Sequence, residues 1–387
     1  VQARGAAQAE RDAQLHRLRA QAAHLQVVEA PEAGALGAQV RQVLVEQDAP
    51  PARQPRQLRL EQIERAAQEG RAVGGAGPLP LRDRRSPGAK PTIPGVSPAP
   101  PKLLLALDCD GTLLDPEGDI RPGVRDAVRE AAARGALVTL ATGRRLGAAR
   151  HYAEALGLRA PLVLHDGAAV QDPLTGALFY QDPLPPALVV RLVAAILDHG
   201  LHPVACRLTA DPSGDTIHVL AESERDPLMA AYLAARAPVA RGDRAALERA
   251  TPVVRLSGMG PLDAAGRFTA HVEGRLEALG CAVRLNTPLR YAALPFHVAQ
   301  VTNGGCSKAL ALAALAAHHG LTLADCVAVG DGENDLELLR EVEGAGGTGV
   351  AMGQAPPAVR AAAGHTVAGN DADGVAEAVA RFVLPRL

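Results

Sequence analysis

A run of apolar residues that ends in two carboxylates, LLLALDCDG at residues 103–111, constrains this chain more than any other feature. Leu103–Leu107 reads as a buried strand, and Asp108 and Asp110 leave it before Gly111 turns the chain. A bare pair of carboxylates at the edge of a core is costly unless a metal, hydrogen bonds or a proton compensates it. An Asp-Gly turn that merely ends a strand accounts for the same residues without any chemistry. Which reading holds depends on whether the rest of the sequence supplies partners for the two aspartates.

Composition narrows the class. At about 150 residues per domain, 387 residues imply two or three units. A hydrophobic share of 48% with 21% charged residues is ordinary for a globular protein. The net charge of −2 provides no strong field for nucleic acid or an anionic membrane. No apolar run approaches the roughly 18 residues of a membrane span, and the N-terminus lacks a signal-peptide apolar region, so a cytoplasmic protein is expected. Cys109, Cys206, Cys281, Cys306 and Cys326 are scattered and odd in number, with no C-x-x-C pair. That spacing predicts neither a disulfide framework nor a structural zinc site.

The chain changes character near residue 102. Residues 1–101 are rich in Ala, Arg, Gln and Glu and end in a Pro- and Arg-rich stretch, RDRRSPGAKPTIPGVSPAPP, that reads as a linker. Leu15, Leu18, Ala22 and Leu25 have heptad spacing over about two heptads, short of a coiled coil, and a second helix is expected at 57–72. This extension is expected to be poorly ordered, or to hold a short helical segment for a partner. From Lys102 on, strands alternate with helices, which predicts a parallel sheet covered by helices. Strands are expected at KLLLALD, ALVTLAT and PLVLHDG, with helices at 121–134, where Gly135 is a C-cap candidate, and 145–156. The same grammar returns with a helix at 307–319, the strand CVAVGD, and helices at 334–342, 357–363 and 374–383. Between them, 172–293 reads as a second unit, with helices near 185–199, 226–236 and 264–279 and short strands such as IHVLAE, VVRLSG and AVRLN. The expected fold is therefore α/β, a Rossmann-like parallel sheet core (102–171 and 294–387) with an inserted α+β domain (172–293).

Ligands of an open parallel sheet sit beyond the carboxyl ends of its strands. Asp108 and Asp110 follow the first strand, Thr142-Gly143-Arg144 the second, and Asp331 with Gly332, Asn334 and Asp335 a late one; Lys308 opens a helix. Each feature has a plain alternative: a T-G-R turn, a solvated lysine, an acidic turn with an N-cap. GDGEND also lacks the frame of an EF-hand calcium loop. His165, His218 and His297 stand near these segments but read more simply as structural histidines. Cys109 is expected to pack between the aspartates and to offer its backbone amide rather than its thiol. Taken jointly, the set suits phosphoryl transfer. An acidic cluster suits Mg²⁺, which prefers oxygen ligands. One carboxylate can attack phosphorus, and a second two residues on can protonate the leaving oxygen and later activate water. A hydroxyl, backbone amides and an ammonium can hold the phosphoryl oxygens.

DCDGTLL, TLATGR, Lys308 in GGCSKALAL, and VGDGENDLELL resemble the four motifs of haloacid dehalogenase-like phosphatases. GVAMGQAPPAVRAAAGHTVAGNDADGVAEAV at 349–379 is similar to the tail of the Cof-type subfamily. The resemblance covers about 102–387 and implies that the inserted α+β domain (172–293) is a cap domain. It implies that Asp108 is the nucleophile and Asp110 the general acid and base. It implies Mg²⁺ held by Asp108, the backbone carbonyl of Asp110, and Asp331, and phosphate bound by Cys109, Thr142, Gly143, Lys308 and Asn334. The substrate it implies is a small phosphorylated metabolite, such as a sugar phosphate or a nucleotide-type cofactor, with no nucleic-acid or membrane partner. Three positions depart from the family pattern. Cys109 stands where Leu or Met is frequent, HDGA at 165–168 where NGA is usual, and Gln300 where Glu is frequent. A phosphomutase on the same core, or an interaction protein acting through residues 1–101, remains open at this point.

Overall fold

The computed structural model of the protein describes residues 101–387 apart from 211–214, 235, 237, 251, 276–280 and 287–296, and only the backbone of 282–286. The heptad-spaced leucines, the helix expected at 57–72 and nearly all of the linker lie outside the described residues. Fourteen strands are present among those described: β1 (Leu104–Leu107), β2 (Leu137–Leu140), β3 (Leu162–Leu164), β4 (Ala169–Gln171), β5 (Leu178–Gln181), β6 (His202–Arg207), β7 (Thr216–Leu220), β8 (Val239–Gly242), β9 (Val253–Gly260), β10 (Cys281–Asn286), β11 (His297–Asn303), β12 (Cys326–Gly330), β13 (Thr348–Ala351) and β14 (His365–Thr366).

β1 shows why an uninterrupted apolar run was needed. It lies between β12 and β2 in a five-stranded parallel sheet of order β14-β13-β12-β1-β2. Successive side chains point to opposite faces. Leu105 and Leu107 enter one core cluster with Val124, Val128 and Ala131 of the Pro122–Ala133 helix. Leu104 and Ala106 enter another with the Lys308–His318 helix and Leu338 and Leu339. All four β1 side chains are fully buried, and each leucine contributes roughly 1.5–3 kcal/mol by leaving water. The preceding residues set up the covering helix. Pro122 opens it, and Gly135, at φ 104°, turns the chain after it while Ala136 N–H donates to the Ala131 carbonyl.

The expected third strand, β3, joins this sheet through a single parallel bridge, Ala141 to Val163. Its ladder pairing is antiparallel with β4, in a separate three-stranded sheet β3-β4-β5. A six-stranded sheet, β10-β11-β9-β6-β7-β8, forms from the middle of the chain and is antiparallel except for β7 with β8. The Pro186–Asp198 and Leu262–Glu273 helices cover it through Leu188, Val189, Leu192, Ala265 and Phe268. β11 departs from the expected boundary at 293/294. His297–Asn303 pairs with β9 and β10, so the chain leaves the six-stranded sheet only after Asn303. Its apolar residues Val298, Ala299 and Val301 suit either sheet, and the partners that decide the matter are distant in sequence or antiparallel neighbours. Cys206 and Val254 of the six-stranded sheet, with Leu208 just after β6, are buried in the same cluster as Leu105 and Leu107, which brings this sheet over the carboxyl ends of the parallel one.

Candidate active site

The loop after β1 is folded by its own backbone. Asp108 N–H continues the ladder to the Val329 carbonyl, and Leu113 and Leu114 N–H close back onto the Asp108 and Cys109 carbonyls. Asp108 is 5% exposed. Lys308, 2% exposed and first in its helix after the Ser307 cap, reaches it with Nζ 2.7 Å from Asp108 Oδ1. The same Nζ lies 2.7 Å from Asp335 Oδ1. Asp335 Oδ2 accepts from the backbone N–H groups of Asp331 and Gly332, which fixes the loop after β12. Asp331 Oδ1 accepts from the Thr112 hydroxyl at 2.7 Å. Gly111 is required between these groups: its φ is 84°, and a Cβ there would stand 2.2 Å from Asp331 Oδ2.

The electrostatics follow from burial and from an excess of negative charge. Burial pushes the Asp108 carboxyl well above its usual range, with Lys308 opposing and Asp335 and Asp331 adding to the rise. Burial likewise raises Asp331, to about 6, against the Thr112 hydrogen bond and with the Asp335 charge. For Lys308, burial opposes the charge, but Asp108 and Asp335 outweigh it and hold the ammonium above its ordinary range. Carboxylate oxygens of Asp108, Asp331 and Asp335 lie within 4.8 Å of one another. Three carboxylates face one ammonium here, and all the donors are oxygen. That is the donor set and the charge imbalance that a hard divalent cation such as Mg²⁺ satisfies, so these residues fit one.

Asp110 has a different environment. Its side chain is 56% exposed and takes a bidentate pair from Arg144, Nε to Oδ2 at 2.7 Å and Nη2 to Oδ1 at 2.5 Å. Arg144 also lies over the Tyr152 ring, 4.9 Å from its centroid. Cys109 is fully buried, with its thiol beside the Thr142 hydroxyl and pushed up to about 12, chiefly by burial, so the thiol stays protonated and inert. Thr142, 1% exposed, accepts from Arg144 N–H at 3.1 Å. Asn334 donates to Asp166 Oδ1 at 3.0 Å, and Asp166 lies so close to Gly143 that a Cβ there would meet its carboxylate at 2.9 Å.

Asp108, Lys308 and Asp331 are thus brought into one cluster, while Thr142, Gly143 and Asn334 gather around Asp166. Asp335 and Arg144 stood in the sequence-derived constellation without a role, and Asp166 was absent from it. The signal for Asp335 was its place in GDGEND; for Asp166 and Arg144 it was their place just after strands. His165 and Asp166 both hold positive φ, 53° and 56°, a conformation that non-glycine residues keep where the surroundings enforce it. Of the other two histidines, His218 lies within β7 and His297 opens β11.

A family model described as haloacid dehalogenase-like hydrolase matches residues 105–213 and 280–379. The 5-amino-6-(5-phospho-D-ribitylamino)uracil phosphatase YitU of Bacillus subtilis is 29% identical over 276 residues, covering 70% of this chain and 94% of that protein. The HMP-PP phosphatase of Escherichia fergusonii is 31% identical over 268 residues, covering 68% and 88%. The crystal structure of a haloacid dehalogenase-like hydrolase from Bacteroides thetaiotaomicron matches with a TM-score of 0.59 at 24% identity, covering 72% of this chain and 98% of that one.

Proposed function

Because this chain belongs to the family of haloacid dehalogenase-like hydrolases and is a phosphoric monoester hydrolase, we propose that it dephosphorylates small phosphorylated metabolites through an aspartyl phosphate on Asp108. The observation that carries this reading is the buried Asp108 carboxylate, held by Lys308 and clustered with Asp331 and Asp335, beside an exposed second carboxylate two residues on. Asp108 attacks phosphorus and the substrate oxygen leaves. Asp110 protonates that oxygen, then takes a proton from the water that attacks the acyl phosphate and regenerates Asp108. Thr142, Lys308, Asn334 and the backbone amides of Cys109 and Gly143 bind the phosphoryl oxygens. Mg²⁺, when bound by Asp108, the Asp110 carbonyl and Asp331, offsets the repulsion between carboxylate and phosphate dianion. Asp335 and Thr112 position Lys308 and Asp331 for these roles.

In this reading the six-stranded sheet is a cap that sets the substrate, and its insertion runs to Asn303. The relatives' names support a phosphorylated cofactor or cofactor precursor, with sugar phosphates as the other class to test. A cytoplasmic location belongs to the same proposal; among the described residues no helix is long and apolar enough to cross a membrane. The test is phosphate release from a panel of phosphorylated cofactors, precursors and sugars with Mg²⁺, run in parallel with Asp108→Asn. Release by the wild type and none by the variant is expected. No release from any panel member, or release that survives in Asp108→Asn, overturns it.

A further inference from the structure

Between the Thr142–Arg145 loop and the six-stranded sheet, three side chains from separate segments converge: His165 after β3, Cys206 in β6, and Asp215 just before β7. One ligand atom from each lies within 4.8 Å of the other two. The residues are 1%, 3% and 0% exposed. His165 Nε2 stands 3.4 Å from Asp215 Oδ2, a long ion-pair contact, while His165 Nδ1 and Asp215 Oδ1 have no hydrogen-bond partner among the described residues. Buried polar atoms are almost always paired, because leaving them bare is costly. A long imidazole–carboxylate contact flanked by two unpaired buried atoms, with a thiol beside them, calls for an occupant.

We propose that His165, Cys206 and Asp215 form a second metal site, for a transition ion of the zinc class, separate from the carboxylate cluster. Imidazole nitrogen, thiolate sulfur and carboxylate oxygen are the three ligand types zinc takes, and three protein ligands leave its fourth position for water. A hard ion such as Mg²⁺ favours the all-oxygen cluster instead, so the two sites select different metals. On binding, the Cys206 thiol gives its proton to solvent. The thiolate is then stabilised by Arg255, whose Nη2 lies 3.6 Å from Cys206 Sγ. Cysteine spacing predicted no zinc site, and none of the C-x-x-C kind exists; this one is assembled by the fold from three distant segments. It joins the loop that carries Asp166 to two strands of the six-stranded sheet. Arg255 Nη1 donates to the Gly143 carbonyl at 2.7 Å, and Arg145 Nη1 to the Asp215 carbonyl at 3.4 Å, along the same seam. Bound metal therefore acts as a clasp between sheet and loop. The inference stands on this geometry and not on the phosphatase reading.

The test uses the full chain, stripped with chelator and titrated with Co²⁺ and with Zn²⁺. Cobalt bound to a thiolate gives a near-ultraviolet charge-transfer band, which an ion in the all-oxygen cluster cannot give. Expected results are that band in the wild type, about one zinc retained per chain after dialysis at this site, and a higher Tm with zinc. Cys206→Ser should lose the band and bind zinc at least about tenfold more weakly, with an unchanged circular dichroism spectrum. Asp215→Asn should weaken zinc while keeping the band. A wild type that shows no band at saturating Co²⁺ overturns the proposal whether or not the variants fold, and so does a band that persists in folded Cys206→Ser.

Discussion

Asp108 and Asp110 are two residues apart and chemically unlike: one is buried against an ammonium, the other is exposed and paired with a guanidinium. The strand direction causes this, since the first continues the buried ladder of β1 and the second has already left it. Their identities were legible in the sequence, as were Thr142, Gly143, Lys308, Asp331 and Asn334, because each sits in a short motif at a strand or helix end. The role of Asp335, which stood in the same motif, and the part of Asp166 altogether were not, because both depend on which side chains stand opposite, and that is set by the fold. Lys308 shows the cost of this arrangement. Lys308→Met leaves two buried carboxylates without their cation and should destabilise the chelator-treated protein by about 3–5 kcal/mol. Adding Asp335→Asn should recover part of the loss. Urea midpoints measure both, and an unchanged midpoint for Lys308→Met would contradict the pairing. Gly111→Ala should retain the fold yet lower kcat/KM by about a hundredfold, because the new Cβ displaces Asp331 from its place. Steady-state kinetics with circular dichroism checks it, and near-normal turnover would show that the loop tolerates the shift.

At the scale of elements, the parallel sheet was readable because β1 and β12 are apolar on both faces, and β2 is so except for Thr139, as strands covered by helices on each side must be. The six-stranded sheet was only partly readable. β6 contains Pro203, which demotes a run as a central strand; it is nonetheless central, pairing with β7 only from Val204 onward. β8 (VARG) has no apolar run at all and exists through its parallel pairing with β7. The crossing into and out of this sheet is tied by Asn303, whose Nδ2 donates to Asp182 Oδ1 at 2.8 Å and to the Pro183 carbonyl at 3.4 Å, with Asp182 fully buried. Asn303→Leu removes a donor from a buried carboxylate and should cost about 1–3 kcal/mol. Denaturant unfolding should show a lower midpoint with an unchanged slope; no change in midpoint would place the tie elsewhere.

For the molecule as a whole, the family match begins at residue 105, and two relatives are covered over 94% and 88% of their lengths by 70% and 68% of this chain. Deleting residues 1–98 should therefore leave turnover of a generic phosphate ester within about twofold, and insoluble or inactive protein would show that the extension belongs to the working unit. Activity should vanish in excess chelator, return with Mg²⁺, and be inhibited by Ca²⁺, whose looser, higher coordination lets the nucleophile bind the metal through both oxygens; full activity after exhaustive metal removal would contradict the cation site. The central claim is covalent transfer to Asp108 with Asp110 as acid and base, and rapid mixing of Asp110→Asn with a p-nitrophenyl phosphate tests it most directly. Nitrophenolate leaves without a proton, so the phosphoryl group still reaches Asp108, while water lacks a base to release it. With enzyme and substrate at comparable concentration, the account predicts a burst of about one equivalent of nitrophenolate, then turnover slowed by about 10²–10⁴-fold, with alkyl phosphates already slow in the first step. Equal slowing of aryl and alkyl esters with no burst would contradict it.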